Sequence, residues 1–204
     1  MSPYKPWITP GVTPVNHWDF RALGRREAAV FFREFEARLP ERIKNLESYI
    51  RATPGFKSWR ADYSEESLAR MGRWFLTVME TRPRTKKEIA DLEALESPIF
   101  RDEPIDQMVF TDKTISVIAD MGIYLVESVR HARPKWKWER QRGSKNNIDY
   151  NAPVLMIQVK NGRIGMNPFM LGCSSVSEMK DGSNRENDYR DMFNTWIKIA
   201  SHVK

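Results

Sequence analysis

Cysteine is almost absent from this 204-residue chain, and the single Cys173 cannot form an internal disulfide, so a reducing compartment is expected. Histidine is nearly as scarce, with His17, His131 and His202 scattered along the chain. Without a cysteine pair, an HExxH or an EF-hand spacing, no metal and no cofactor are expected. Walker A and GxGxxG loops are also missing, which removes the usual warrant for nucleotide binding. No apolar run approaches the roughly 18 residues of a membrane span, and the first residues lack the apolar stretch of a signal peptide. A cytoplasmic protein outside the membrane is the expectation. Ten Gly and twelve Pro are too few for a low-complexity chain, while seven Trp, ten Phe and six Tyr supply material for a sizeable core.

Residues 1–18 hold Pro3, Pro6, Pro10 and Pro14 among Tyr4, Trp7 and Trp18, which excludes a helix or a central strand and predicts an extended arm. Its aromatics either lie on the chain's own domain, residues 19–204, or reach a partner. Ala28, Phe31, Phe32, Phe35 and Leu39 recur at helical spacing. Pro40 suits a first helical position, and Ile43, Leu46 and Ile50 continue the stripe, so a helical hairpin is predicted. Ser64, followed by Glu65 and Glu66, caps a third helix. Thr85-Lys86-Lys87-Glu88 has capping-box spacing and opens a short fourth.

Residues 97–111 read as a loop, after which Asp112 caps a long helix to about Ala132. Beyond Pro134 the period becomes two, with Trp136 and Trp138 opposite Lys135, Lys137 and Glu139. An apolar run from Val154 to Val159 meets Arg163, Ile164 and Met166 across Asn161-Gly162, a type I′ hairpin signal. Residues 172–185 read as a Gly/Ser loop, and a last helix runs from about Arg185 to Ser201. The expected fold class is α+β: N-terminal helical hairpins and a long central helix packed with a small antiparallel β-meander and a C-terminal helix.

On the 112–132 helix, Ile115, Ile118, Gly122, Leu125 and Val129 fall in an arc of roughly 80°, and Asp120, Tyr124, Glu127 and His131 in one of roughly 60° opposite it. This polar row is a solvent-facing stripe, a buried network completed by a base such as Arg140 or Arg142, or a catalytic or ligand site with raised carboxylate pKa values. Gly122 would let another backbone approach closely.

Charge is segregated. Residues 130–147 carry seven bases against Glu139, a net of +6, whereas residues 88–106 carry seven acids against Arg101, a net of −6. Lys135, Lys137, Arg140 and Arg142 are a candidate basic rim for a partner, and Asp102, Glu103 and Asp106 a candidate acidic one. Interleaved tryptophans also allow a nucleic-acid reading of the basic segment, which the alternation weakens by sending them to the opposite face. Cys173 has no base tied to it by any signature, and Gly162-Arg163-Ile164-Gly165 matches a KH loop in letters only.

Several of these stretches together resemble a family of small bacterial cytoplasmic proteins without assigned activity. They are Pro40-Glu41-Arg42-Ile43, Trp59 with Asp62-Tyr63-Ser64, Asp120-x-Gly122-x-Tyr124-x-x-Glu127, Trp138, Asp149-Tyr150-x-x-Pro153-Val154-Leu155 and Asn167-Pro168. Such proteins are encoded singly or beside polymorphic toxins. The resemblance implies a non-enzymatic immunity or inhibitor protein that occludes a toxin or effector, and it supplies no catalytic residues.

Overall fold

The computed structural model describes residues 4–6, 18–95, 106–159, 162–180 and 186–201. Apolar stripes at helical spacing and one alternating stretch give these residues six helices and two small antiparallel sheets, an α+β fold. In chain order the elements are α1 (Arg25–Ala52), α2 (Glu65–Val78), β1 (Thr81–Pro83), α3 (Lys86–Leu95), β2 (Met108–Phe110), α4 (Asp112–Ala132), β3 (Lys137–Arg140), β4 (Pro153–Val159), β5 (Gly162–Met166), α5 (Pro168–Lys180) and α6 (Asp188–Ser201).

Helix α1 corrects the predicted hairpin: it runs through Pro40 without a break. Pro40 removes one backbone donor and crowds the carbonyl four residues back, at a cost of about 3 kcal/mol. Against this, Ala28, Phe31, Phe35, Leu39, Ile43, Leu46 and Ile50 form one buried stripe across the proline. Burial of each large member contributes about 1.5–3 kcal/mol, so the continuous stripe outweighs the local breaker. Pro40 itself faces solvent.

Two other corrections have local causes. The segment expected to be a loop from residue 172 is α5 as far as Lys180. Asn167 opens it by accepting from the backbone amides of Phe169 (3.0 Å) and Met170 (3.4 Å), and Pro168 occupies the first turn. Ser174 and Ser175 donate their hydroxyls to the carbonyls of Met170 and Leu171 four residues back, so both are satisfied inside the helix. The last helix begins at Asp188. Within the expected loop of residues 97–111, β2 pairs with β1, Arg82 standing opposite Val109. Thr111 rather than Asp112 caps α4, its hydroxyl accepting from the Thr114 amide at 3.3 Å.

The larger sheet has the order β3-β4-β5, with Trp138 opposite Leu155 and Leu155 opposite Met166. Val159 pairs with Gly162, so the two intervening residues are 160 and 161, one position earlier than the Asn161-Gly162 turn expected. Asn161 lies outside the described residues. Trp138 sits on the core side, its ring edge-on to Phe35 at 4.9 Å between centroids.

Helix α4 is the axis of the molecule, buried without interruption from Thr114 to Val129. Its apolar arc meets α5 backbone to backbone. A Cβ on Gly122 would overlap the carbonyl oxygen of Pro168, and one on Gly172 would press on that of Ile118. The approach expected at Gly122 is therefore to the first turn of α5, and Gly172 is its reciprocal partner rather than a loop residue. Among the described residues no helix is long and apolar enough to cross a membrane.

Two substitutions test these assignments by urea denaturation. Gly122→Ala should destabilise the protein by about 3 kcal/mol, because both helix backbones must move. Pro40→Ala should stabilise it by about 1–2 kcal/mol, by returning the missing donor to an otherwise continuous helix.

Candidate functional site

The polar row of α4 is internal for three of its four members, with Asp120, Tyr124 and Glu127 buried and His131 exposed. Each buried group meets a different element. Asp120 accepts two hydrogen bonds from the Arg42 guanidinium of α1, Nε to Oδ1 at 2.8 Å and Nη2 to Oδ2 at 2.5 Å. The Tyr4 hydroxyl donates a third, at 2.5 Å. Burial pushes the Asp120 carboxyl up to about 6, against the opposing pull of Arg42 and Tyr4.

The Tyr124 hydroxyl shares a hydrogen bond with Ser67 of α2 at 2.7 Å and accepts one from the Tyr63 amide at 2.8 Å. Burial pushes this phenol up to about 12. The second contact fixes Tyr63 in the left-handed region at φ 63°, with its ring stacked on His131 at 3.7 Å. Glu127 accepts from Arg130 Nε at 2.6 Å, Arg130 Nη2 at 2.7 Å and the Trp138 indole of β3 at 2.7 Å. The row is thus a paired network and not a solvent-facing stripe. Its bases are Arg42 and Arg130 in place of Arg140 or Arg142. Each of its buried polar groups is bonded to a neighbour within the chain.

The open site lies elsewhere, along the N-terminal half of α1. A groove of about 1260 Å³ runs between that helix and the three-stranded sheet. Val30 and Phe32 from α1 and Met156 and Ile164 from the sheet give it apolar lining. Val30 and Ile164 are 45% and 40% exposed, unusually wet for large aliphatic side chains in a chain with this much core. Five arginines line the same groove: Arg26 and Arg33 on α1, Arg140 at the end of β3, Arg142 just beyond it, and Arg163 on β5. The acids in the lining are Glu139, which pairs with Arg163, and Asp149, which accepts from Asn167 Nδ2 at 2.8 Å.

The groove walls are fixed to one another. Asn151 donates through Nδ2 to the Leu23 carbonyl at 2.9 Å, just before α1 begins, and accepts from Arg140 Nη1 at 3.1 Å. Arg140 Nη1 also donates to the Arg25 carbonyl at 3.2 Å. Across the strands, Lys137, Met156 and Gly165 stand opposite one another, as do Gln158 and Arg163. Because directly opposed residues share a face and successive residues alternate, Glu139, Met156, Gly165 and Arg163 stand on one side of the sheet and Trp138, Arg140, Leu155, Ile164 and Met166 on the other, so the groove lining draws on both.

Of the basic rim read from the sequence, Arg140 and Arg142 line this groove; Lys135 and Lys137 are exposed but not part of its lining. Of the acidic rim, Asp106 is exposed, its side chain accepting from the Met108 amide at 2.8 Å, and Asp102 and Glu103 lie outside the described residues. Burial pushes the Cys173 thiol up to about 12, which leaves it protonated at neutral pH. Among the described residues no group of three or more His, Cys, Asp or Glu side chains is placed to hold a metal ion.

Sequence reasoning missed Arg26, Val30, Arg33 and Arg163 in the groove, and Arg42 and Tyr4 in the network. Arg42 did carry a signal. It falls three residues after Leu39 and four before Leu46, in register with the buried stripe, and a cation there needs an internal counter-ion.

Replacing Arg42 by Met should strand a buried carboxylate and cost about 3–5 kcal/mol at pH 7.5 in urea denaturation. The folded value at Asp120 already exceeds the unfolded one near 4, so protonation favours the folded state. The loss in Arg42→Met should therefore shrink between pH 7.5 and pH 5, and Arg42→Met/Asp120→Leu should recover most of it. Comparison with protein-family models, curated proteins and solved structures finds no match to this chain, so the groove is interpreted from its own chemistry.

Proposed function

We propose that this chain is a non-enzymatic binding protein of the cytoplasm whose α1–sheet groove receives an acidic, partly apolar segment of a partner protein. Occlusion of a toxin or effector is the activity such binding would serve, in keeping with the family resemblance of the sequence. The observation that carries the reading is the combination in one concavity of exposed Val30 and Ile164 with five arginines against two acids. Apolar anchors inside a ring of like charge favour a partner that brings both side-chain burial and opposite charge.

The same combination argues against a phosphate backbone as the occupant. A nucleic-acid groove gains from unopposed cations and from aromatic faces open to bases. Here Glu139 neutralises Arg163, and Trp138, although it lines the groove, has its indole engaged by Phe35 and Glu127. An enzymatic reading centred on Asp120, Tyr124, Glu127 and His131 is disfavoured because its buried members are bonded to groups of the chain itself.

Fluorescence anisotropy with a labelled Glu/Leu-rich peptide, a Lys/Leu-rich peptide of equal length and a DNA duplex discriminates these readings. The acidic peptide should bind, and Arg26→Glu/Arg33→Glu/Arg142→Glu should weaken it tenfold or more with no change in Tm. Tighter binding of DNA, falling steeply with salt, would transfer the groove to nucleic acid. The first natural partner to test is the product of the adjacent gene, by growth protection on co-expression.

A further inference from the structure

Tyr4–Pro6 lie against the C-terminal half of α1, remote along that helix from the groove. The contact is built like peptide recognition. The Tyr4 ring packs against Tyr49 at 5.0 Å between centroids, with the Arg42 guanidinium 5.6 Å from its centre. Its hydroxyl donates to Asp120, accepts from Arg42 Nη2 at 2.9 Å and lies 3.2 Å from Ser116 Oγ. One residue on, the Lys5 carbonyl accepts from Arg42 Nη1 at 2.8 Å and from Asn45 Nδ2 at 3.3 Å. Lys5 and Pro6 are themselves exposed. What is read is a tyrosine phenol and the next main-chain carbonyl.

The receiving surface does not need Tyr4 in order to exist. Arg42 and Asp120 satisfy each other through two parallel hydrogen bonds, and Ser116 and Tyr49 belong to helices packed by other contacts. Lifting the segment away would leave a preformed pocket with a charge pair at its base, the condition under which a ligand binds at little reorganisation cost. The segment is part of the same chain, so a free peptide of its sequence must compete with a ligand held at high local concentration.

We infer that the α1–α4 cleft formed by Arg42, Asn45, Tyr49, Ser116 and Asp120 is a recognition site for an extended peptide bearing an unmodified tyrosine, and that residues 4–6 occupy it as a tethered, displaceable ligand. Asp120 sets the selectivity. A carboxylate at the end of the pocket accepts from a phenol and repels a phosphate dianion, so phosphotyrosine is excluded. Proline on either side of Tyr4-Lys5 favours the extended backbone that presents the carbonyl to Arg42. The inference does not rest on the groove.

The test vacates the pocket in the full-length chain with Tyr4→Ala and titrates a labelled peptide of sequence Ser-Pro-Tyr-Lys-Pro-Trp, read by anisotropy and by amide NMR shifts. The peptide should bind Tyr4→Ala at least tenfold more tightly than the unaltered chain, where the tethered segment competes. The same peptide with Phe in place of Tyr should lose about tenfold, and the phosphotyrosine form should not bind. Tyr4→Phe, which keeps the ring packing but loses the hydroxyl's bonds, supplies a second chain with a weakened tethered competitor in case Tyr4→Ala fails to fold; it should show the same order of peptides with a smaller gain. Equal binding by the vacated and unaltered chains, equal binding of Tyr and Phe peptides, or preference for phosphotyrosine would each overturn the inference. Loss of acidic-peptide binding at the groove would leave all of these readings unchanged.

Discussion

The complete burial of α4 is the constraint from which the rest of the structure follows. A helix enclosed from Thr114 to Val129 can carry Asp120, Tyr124 and Glu127 only if each finds a partner from outside the helix or at its open end. Each finds a different one. Asp120 takes Arg42 of α1, Tyr124 takes Ser67 of α2, and Glu127 takes Trp138 of β3 as well as Arg130. Three layers are thereby set in register along one axis, and a shift of any layer by one turn would leave a buried charge or hydroxyl unmatched. Apolar burial supplies most of the driving force, but it is tolerant of such shifts; directional hydrogen bonds are not. On its opposite side α4 meets α5 through Gly122 and Gly172, where contact of backbones leaves no slack for adjustment.

The same physics explains how much was legible in the sequence. Helix α2, the capping box before α3, α4 and the β4–β5 pairing were all readable, because cap chemistry and hydrophobic period agree locally and the structure keeps them. The errors arose where local punctuation and non-local burial disagree. Pro40 carries a break signal, yet the stripe on either side of it faces one core. Gly172, Ser174 and Ser175 carry loop signals, yet the glycine is there to admit the Ile118 carbonyl and the serines bond inside their own helix. In both cases the deciding partner lies far away in sequence, where periodicity has no access to it.

The sites were legible to the same partial degree. Arg140 and Arg142 stood out as part of a dense basic segment, but the facing wall of the groove is α1, more than a hundred residues earlier, and its arginines are diluted among Glu27, Glu34 and Glu36. The spacing of Asp120, Tyr124 and Glu127 marked a polar row correctly, but no spacing rule connects it to Tyr4 in a proline-rich arm. Sequence pattern locates chemistry on one element. It takes tertiary structure to state which side chains share a volume, and that sharing joins Asp120, Tyr124 and Glu127 to three other elements and sets the Arg26–Arg33 face of α1 against the sheet.

Helix α1 is the wall common to the groove and to the tyrosine-binding cleft, and its passage through Pro40 holds the two at a fixed separation. Arg33, the groove arginine nearest along the helix, and Arg42 are nine positions apart, about 14 Å at a rise of 1.5 Å per residue. Arg26 and Arg33 are exposed, where screening at physiological ionic strength acts within about 8 Å, so they contribute little to the potential felt by Asp120. A mechanical link would have to pass through the helix, but Phe35, Leu39 and Ile43 anchor the intervening turns in the core. Both electrostatic and packing arguments therefore make the two surfaces energetically separate. A single ligand engaging both would have to span that distance itself, which for an extended chain needs at least about four residues between its acidic segment and its tyrosine.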